Sequence, residues 1–501
     1  MERSVWQQIR SRAGERAPLI GVGLAIESLY LVAVMGPFSL LTSGSRLTDL
    51  GRLTDYRPEA AVAVAAGLVG LFLFYAFALV LVRDGDRAIA IAGTACFSLT
   101  LMYLYPITAT DVYTYAVQGY IAAFHGLNPL VIPPDRVAND PFVHFAGSWR
   151  NSASPYGPLW VDFSALALRV SGPNIVRAVV LLKLLNAAAV VGTSGLLIRV
   201  VRGRAAYAAA FFGWNPLVQI ELVGNGHNDA VMILLLVAAL ALASRRRHAI
   251  GAAFLAGSIL TKYLTIGALP FYVIAVLRDQ RGVRLLRPGD WLAHLHPRQV
   301  ARLVPTLLAL FITAAALYEP YWVGLATLGR VMGVDRNYLA SVPALIILLV
   351  PGSQHWLAVL RFAVIGGIYL WLGLRLLRDE TSVSRTFFEA LFTLIVMAPH
   401  FAGWYLAVLL ALAPLTVDGW RELRAVVFAF ATTLTVPLWA FVWPWMSNTS
   451  SLLAFHEIIV PLAIGPPLVV LLFKLWLDRR GVRRRQSDEL AESQHSLRES
   501  A

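Results

Sequence analysis

Apolar residues run through this chain in long unbroken blocks, not in the alternating pattern of a half-buried strand. Residues 18–42, 59–82, 88–106, 175–200, 303–322, 355–377, 424–446 and 455–477 meet or approach the roughly 20 apolar residues a helix needs to cross a hydrocarbon core. Unpaired backbone groups are very costly in lipid, which leaves helices or a closed barrel. Barrel strands alternate apolar and polar positions, and these runs do not, so the pattern predicts helices. Shorter apolar runs at 206–223, 229–243, 249–261, 263–277, 386–400 and 404–416 bring the expected total to about 14 crossings. Segments 157–172 and 338–351 are apolar too, but they would break the alternation of sides. They are expected to be re-entrant or surface helices.

Charge then orients the bundle. Only 14% of the 501 residues are charged, against about 25% in a soluble globular protein. Lys and Arg concentrate in the N-terminal tail, 83–87, 199–204, 245–247, 278–302, 375–385, 421–424 and beyond Lys474. Basic residues are retained on the cytoplasmic side, so these segments and both termini are expected inside the cell membrane, with an even number of crossings. The net charge of +13 is thereby assigned to a membrane surface and to membrane lipids as partners, with no nucleic acid. The first apolar run is longer than a signal peptide's apolar region and lacks a good cleavage site after it. One domain is expected over 1–477, opening with a hairpin at 18–82. The polar stretch 478–501 reads as a disordered tail. Cys96, the one cysteine, has no disulfide partner and reads as a small core residue.

The unusual chemistry gathers in the loops left on the other side, at 107–156 and 318–340 and in the short turns 225–229, 400–405 and 456–457. A loop of about 50 residues is long enough to expect structure or function in it. Within it, Asp111, Tyr115 and Gln118 share one face of an amphipathic helix, read as lying in the interface plane. Asp111 has two readings, as a helix cap and as a functional carboxylate. Lys262 interrupts an apolar hairpin; it is either a functional cation or a side chain snorkelling to the interface. His227 and Asp229 are two metal-capable residues in one turn, whereas a zinc site takes three or four protein ligands. No cofactor is expected, and a divalent metal is not favoured.

Four motifs occur in order: DVYTYAVQG from Asp111, SPYGPLW at 154–160, NPLVQIELVGNGHNDAVMILLL at 215–236, and APHFAGWYLAVLLALAP at 398–414. Together they resemble the polyprenol-phosphate-mannose-dependent α-1,6-mannosyltransferases of actinobacteria, which are GT-C glycosyltransferases, over residues 88–460. The resemblance implies an all-α, polytopic GT-C-type bundle whose first outer loop carries interfacial helices. It implies that Asp111 is the catalytic base, that Asp229 is a second acidic residue near the site, and that the donor is a polyprenyl-phosphate sugar. A glycan or glycolipid would be the acceptor, without a fixed identity.

The chemistry expected from this is a single displacement. Phosphate leaves as a stable anion without a proton, so one carboxylate suffices to take the acceptor's hydroxyl proton, unlike glycoside hydrolysis with its two. The product would be inverted at the anomeric carbon. Lys262, Arg330 and Arg336, with His227 as a further donor, are the candidates to stabilise the departing phosphate. Tyr115, Tyr156, His400, Trp404 and Tyr405 complete the expected substrate-binding set, and Tyr113 and Trp149 are further stacking candidates. The main rival is a transporter or flippase of a lipid-linked or small sugar, which would place its site on broken helices near the midplane.

Overall fold

The computed structural model describes residues 2–278, 297–329, 338–447 and 451–499, with side chains described between 16 and 480. Among the described residues the chain is helical throughout, with three isolated β-bridges and no strand. It is an all-α polytopic membrane fold. All fourteen expected apolar segments are helical over most of their length, several of them as two or three successive helical pieces. Among the described residues seven helices are long and apolar enough to cross a membrane: Arg16–Met35, Pro58–Leu81, Ile175–Val200, Pro297–Tyr321, Gln354–Leu377, Gly419–Met446 and Leu452–Arg480. An eighth arises if the pair Val218–Gly224 and Asp229–Ser244, bent by 114°, is taken as one span. His248–Thr261, Tyr263–Arg278 and Gly403–Thr416 are apolar but shorter. At 1.5 Å per residue, 14 residues rise only about 21 Å, less than a typical hydrocarbon thickness, so such helices cross only in combination with a neighbour.

The arginine-bearing loops meet at one end of the bundle. Arg16 pairs with Asp86 at 3.3 Å, and Asp84 accepts from the Ala205 amide at 2.8 Å. Arg204 holds Glu422 through two nitrogens at 2.8 and 2.9 Å, and Arg278 pairs with Asp379. These contacts join segments that the basic-residue pattern assigns to one side.

Three local expectations change. The helix Asp111–Phe124 does not present one covered and one open face. Tyr115 and Gln118 on its polar side are as buried as Val112, Ala116 and Val117 on its apolar side. The helices Pro158–Ser171 and Ile175–Val200 and the 3-10 segment Pro141–Trp149 all pack against it, so the polar side faces protein. Cys96 is exposed, not a core residue; an apolar-sized side chain is equally at home against lipid. The last helix continues to Glu499 through the stretch read as disordered, whose Arg, Gln, Glu and Leu residues are good helix formers.

Candidate active site

The sequence NPLVQIELVGNGHND cannot continue as one helix. Val218–Gly224 winds as a π-helix, the Asn225 amide reaching back to the Ile220 carbonyl at 2.7 Å. Gly226 then takes φ +82°, where only glycine is unstrained. A Cβ there would meet Val112 at 2.9 Å. A new helix starts at Asp229. Such π-bulges mark functional sites often, and this one leaves His227, Asn228 and Asp229 at a break deep inside the protein, all fully buried.

Asp111 opens its helix at the first helical position. Neither it nor Thr110 caps the helix through its side chain. Its carboxylate turns instead to Tyr156, whose hydroxyl donates to Asp111 Oδ2 at 3.2 Å. Burial first, and then the Asp111 charge, pushes the Tyr156 hydroxyl well above the usual phenol range, so it remains a donor. The His227 ring lies between two carboxylates, Nδ1 3.9 Å from Asp111 Oδ2 and Nε2 3.4 Å from Glu221 Oε2. It stacks on Trp404, with ring centroids 3.8 Å apart. Lys262 ends the helix His248–Thr261 in an extended conformation and pairs with Asp229 at 2.5 Å. Its ammonium lies 4.8, 5.9 and 6.0 Å from the ring centres of Tyr405, Trp404 and Tyr156, an aromatic wall that favours a cation. Tyr115 packs edge-on against Tyr156 at 4.8 Å and feels the charges of both Asp111 and Asp229.

Asp111, Tyr115, Tyr156, His227, Asp229, Lys262, Trp404 and Tyr405 therefore form one cluster. His400 belongs to its rim: its backbone bridges Leu339, and both Asp111 and Lys262 act on it electrostatically. Burial holds its imidazole below the ordinary histidine range, so it is neutral. Arg330 and Arg336 lie outside the described residues. Tyr113 does not reach the site; its hydroxyl donates to the Gly44 carbonyl and its ring stacks on Phe145. Among the described residues no three or more His, Cys, Asp and Glu side chains form a group that could hold a metal ion.

Sequence reasoning passed over several residues here. Glu221 Oε2 accepts from Thr108 Oγ1 at 2.9 Å and Asn225 Nδ2 at 3.0 Å. Asn225 Oδ1 in turn receives the Ile107 amide at 2.7 Å. Lys183, fully buried, donates to the carbonyls of Leu104 and Gly224. The usable signal was the one that picked out Lys262: an ionisable residue inside an apolar run.

Residues 20–278 match the family described as alpha-(1->6)-mannopyranosyltransferase, N-terminal domain. The chain is similar to alpha-(1->6)-mannopyranosyltransferase A of Corynebacterium glutamicum, 25% identical over 240 residues, 47% of this chain and 49% of that protein. Its similarity to alpha-(1->6)-mannopyranosyltransferase A of Mycobacterium tuberculosis is 28% over 255 residues, 50% of this chain and 46% of the relative. With alpha-(1->6)-mannopyranosyltransferase B of Corynebacterium glutamicum it shares 26% over 176 residues, 32% of this chain and 29% of that one. The chain thus spans about half the length of the first two relatives, and the family match over 20–278 takes in Asp111, Tyr156, Glu221, His227, Asp229 and Lys262.

Proposed function

This chain belongs to the alpha-(1->6)-mannopyranosyltransferase family, and we propose that it transfers mannose from a polyprenyl-phosphate donor to a glycan or glycolipid acceptor at the extracytoplasmic face of the cell membrane. The observation that carries the reading is the juxtaposition of a Tyr156-held Asp111 carboxylate with the Lys262–Asp229 pair. A base and a cation are what a displacement at an anomeric carbon with a phosphate leaving group requires.

Asp111 takes the acceptor's hydroxyl proton as its oxygen attacks the anomeric carbon. The bond to the phosphate oxygen breaks, and the electron pair leaves with the phosphate. One displacement inverts the anomeric centre. Lys262 stabilises the charge that develops on the phosphate more than the charge already present. Its partner Asp229 keeps the ammonium in place and, at the start of the helix Asp229–Ser244, is itself favoured by the helix dipole. The aromatic walls of Trp404, Tyr405 and Tyr156 give the sugar a surface to stack on and exclude water as a competing acceptor.

Transfer of label from synthetic polyprenyl-phosphate mannose by the purified protein tests the reading, with the corresponding glucose and arabinose donors as controls. Asp111→Asn is expected to insert and fold as the wild type does and to lose at least about a hundredfold in turnover, the scale of general-base catalysis. Turnover within a few-fold of wild type removes Asp111 as the base. The broken span at 225–228 is a feature that transporters share. Substrate-dependent flux into proteoliposomes, without transfer, would replace this proposal with that one.

A further inference from the structure

His227 is fully buried and takes no part in the displacement itself, yet its ring is closely fixed. Its backbone amide donates to the Glu221 carbonyl at 3.2 Å. Its face lies on Trp404, with the ring planes 18° apart. Each ring nitrogen faces a carboxylate, Nδ1 that of Asp111 and Nε2 that of Glu221.

Neither nitrogen has a hydrogen-bond partner. The separations of 3.9 and 3.4 Å exceed the roughly 2.7–2.9 Å of a charge-assisted bond. Buried polar atoms in this state are costly. A neutral imidazole carries one N–H and one lone pair, whereas an imidazolium carries two donors. Only the imidazolium can give a hydrogen to both carboxylates, so the arrangement has room for one more proton. The proposed displacement delivers a proton to Asp111. Contacts of this kind are often long before substrates bind and tighten in the complex.

The surroundings set the direction of transfer. Glu221 is the nearer carboxylate, and the bonds it accepts from Thr108 and Asn225 hold it in place. It takes the Nε2–H, which leaves the Nδ1 lone pair towards Asp111. The Asp111 side chain is 14% exposed, and an acceptor must approach it from that open side. The imidazole, with no exposure, meets it from the protein interior.

We propose that His227 stores the proton that Asp111 takes from the acceptor, and that Glu221 orients the imidazole and stabilises it once charged. The assignment rests on the transferase reading and extends it. The acceptor O–H bond breaks as its oxygen bonds to the anomeric carbon, and the proton goes to Asp111 Oδ2. It passes on to the Nδ1 lone pair, while the Nε2–H stays with Glu221. Asp111 is then a carboxylate again, and an imidazolium lies between two carboxylates. When the products leave, the proton returns to Asp111 and passes from its exposed side to solvent. The ring is neutral for the next turnover. Glu221 thus does for this imidazole what the buried aspartate does in a serine-protease triad. Both residues act through Asp111.

The test reads kcat and both KM values against pH, using the full chain in lipid nanodiscs with polyprenyl-phosphate mannose as donor and octyl α-D-mannopyranoside as acceptor. Besides Asp111 and Glu221, the charged and titratable groups around the ring are Asp229, Lys262 and His400, with the phenols Tyr115, Tyr156 and Tyr405. His400 is the other imidazole among them, so His400→Gln is the control. The wild-type kcat is expected to fall on the acid side, because a ring already protonated cannot relieve Asp111. His227→Gln is expected to lower kcat at least about tenfold, within the scale of general-base effects, with both KM values held. Its acid limb should move down by about one pH unit or more, towards the carboxylate range. Glu221→Gln withdraws the charge that stabilises the imidazolium, and should lower kcat and move the limb the same way. His400→Gln should leave the limb in place. Melting temperatures identify a variant that does not fold, and the other of the first two then decides. An unmoved limb, a limb that moves only in His400→Gln, or a kcat within about twofold of wild type overturns the proton store and leaves the transferase reading standing. A wild-type protein that transfers no sugar from any polyprenyl-phosphate donor overturns both.

Discussion

Burial sets the charge of His400, and that has a consequence for acid stability. Its imidazole is held below the ordinary histidine value of 6.5 by desolvation, with Lys262 pushing the same way and Asp111 opposing. The unfolded chain binds this proton more readily than the folded one. Stability is therefore fully present above about pH 6.5 and is lost as pH falls from there through the lower folded value. Melting of the detergent-solubilised protein is expected at lower temperature at pH 5 than at pH 7.5, with a smaller drop in His400→Gln. An identical drop in both would detach His400 from the effect. Residues at this scale were unevenly legible in the sequence. Asp111 and Lys262 stood out because each interrupts or opens a recognisable pattern. Glu221 sits in an apolar run that was read as a crossing, and its importance comes from a π-turn that brings it to His227, a geometry that helical periodicity does not encode.

At the scale of elements, the site is held by close backbone approaches. Gly157 donates to the Thr261 carbonyl at 3.3 Å, and a Cβ on it would lie 1.9 Å from the Leu260 carbonyl oxygen. The tight contact brings the loop bearing Tyr156 against the end of the helix bearing Lys262. Gly157→Ala must push them apart. Overpacking of this kind destabilises by about 1–3 kcal/mol, and a melting temperature lower by several degrees, together with a large loss of transfer, is expected. Wild-type melting and turnover in Gly157→Ala would show that the approach is not required. Apolar length and continuity were enough to place the helices. Continuity could not show that the helix Asp111–Phe124 is enclosed on its polar side, because enclosure depends on the helix Pro158–Ser171 folding back over it. Nor could it separate one long span from two short helices meeting at a break.

For the whole molecule, the grouping of loops is the strongest constraint. Arg16, Asp84, Asp86, Arg204 and Glu422 meet at one end, and Asp111, Tyr156, His227 and Lys262 meet one another elsewhere. The basic bias of the first group predicts that it faces the cytoplasm. In a Cys96→Ser background, Asn139→Cys should react with a membrane-impermeant maleimide on intact cells, and Arg202→Cys only after permeabilisation; both positions are exposed. The reverse pattern would invert the orientation and move the site to the cytosol, where nucleotide sugars become the natural donors.

Lys183 adds a constraint of a different kind. Its ammonium bonds carbonyls just ahead of two separate stretches, one leading to Thr108 and Asp111 and the other to Asn225 and His227. A single rivet through both means that neither stretch can drift without the other. The spacing between the Asp111 carboxylate and the His227 imidazole is thereby tied to the long helix Ile175–Val200, so movement of the loops around the rim leaves their separation in place.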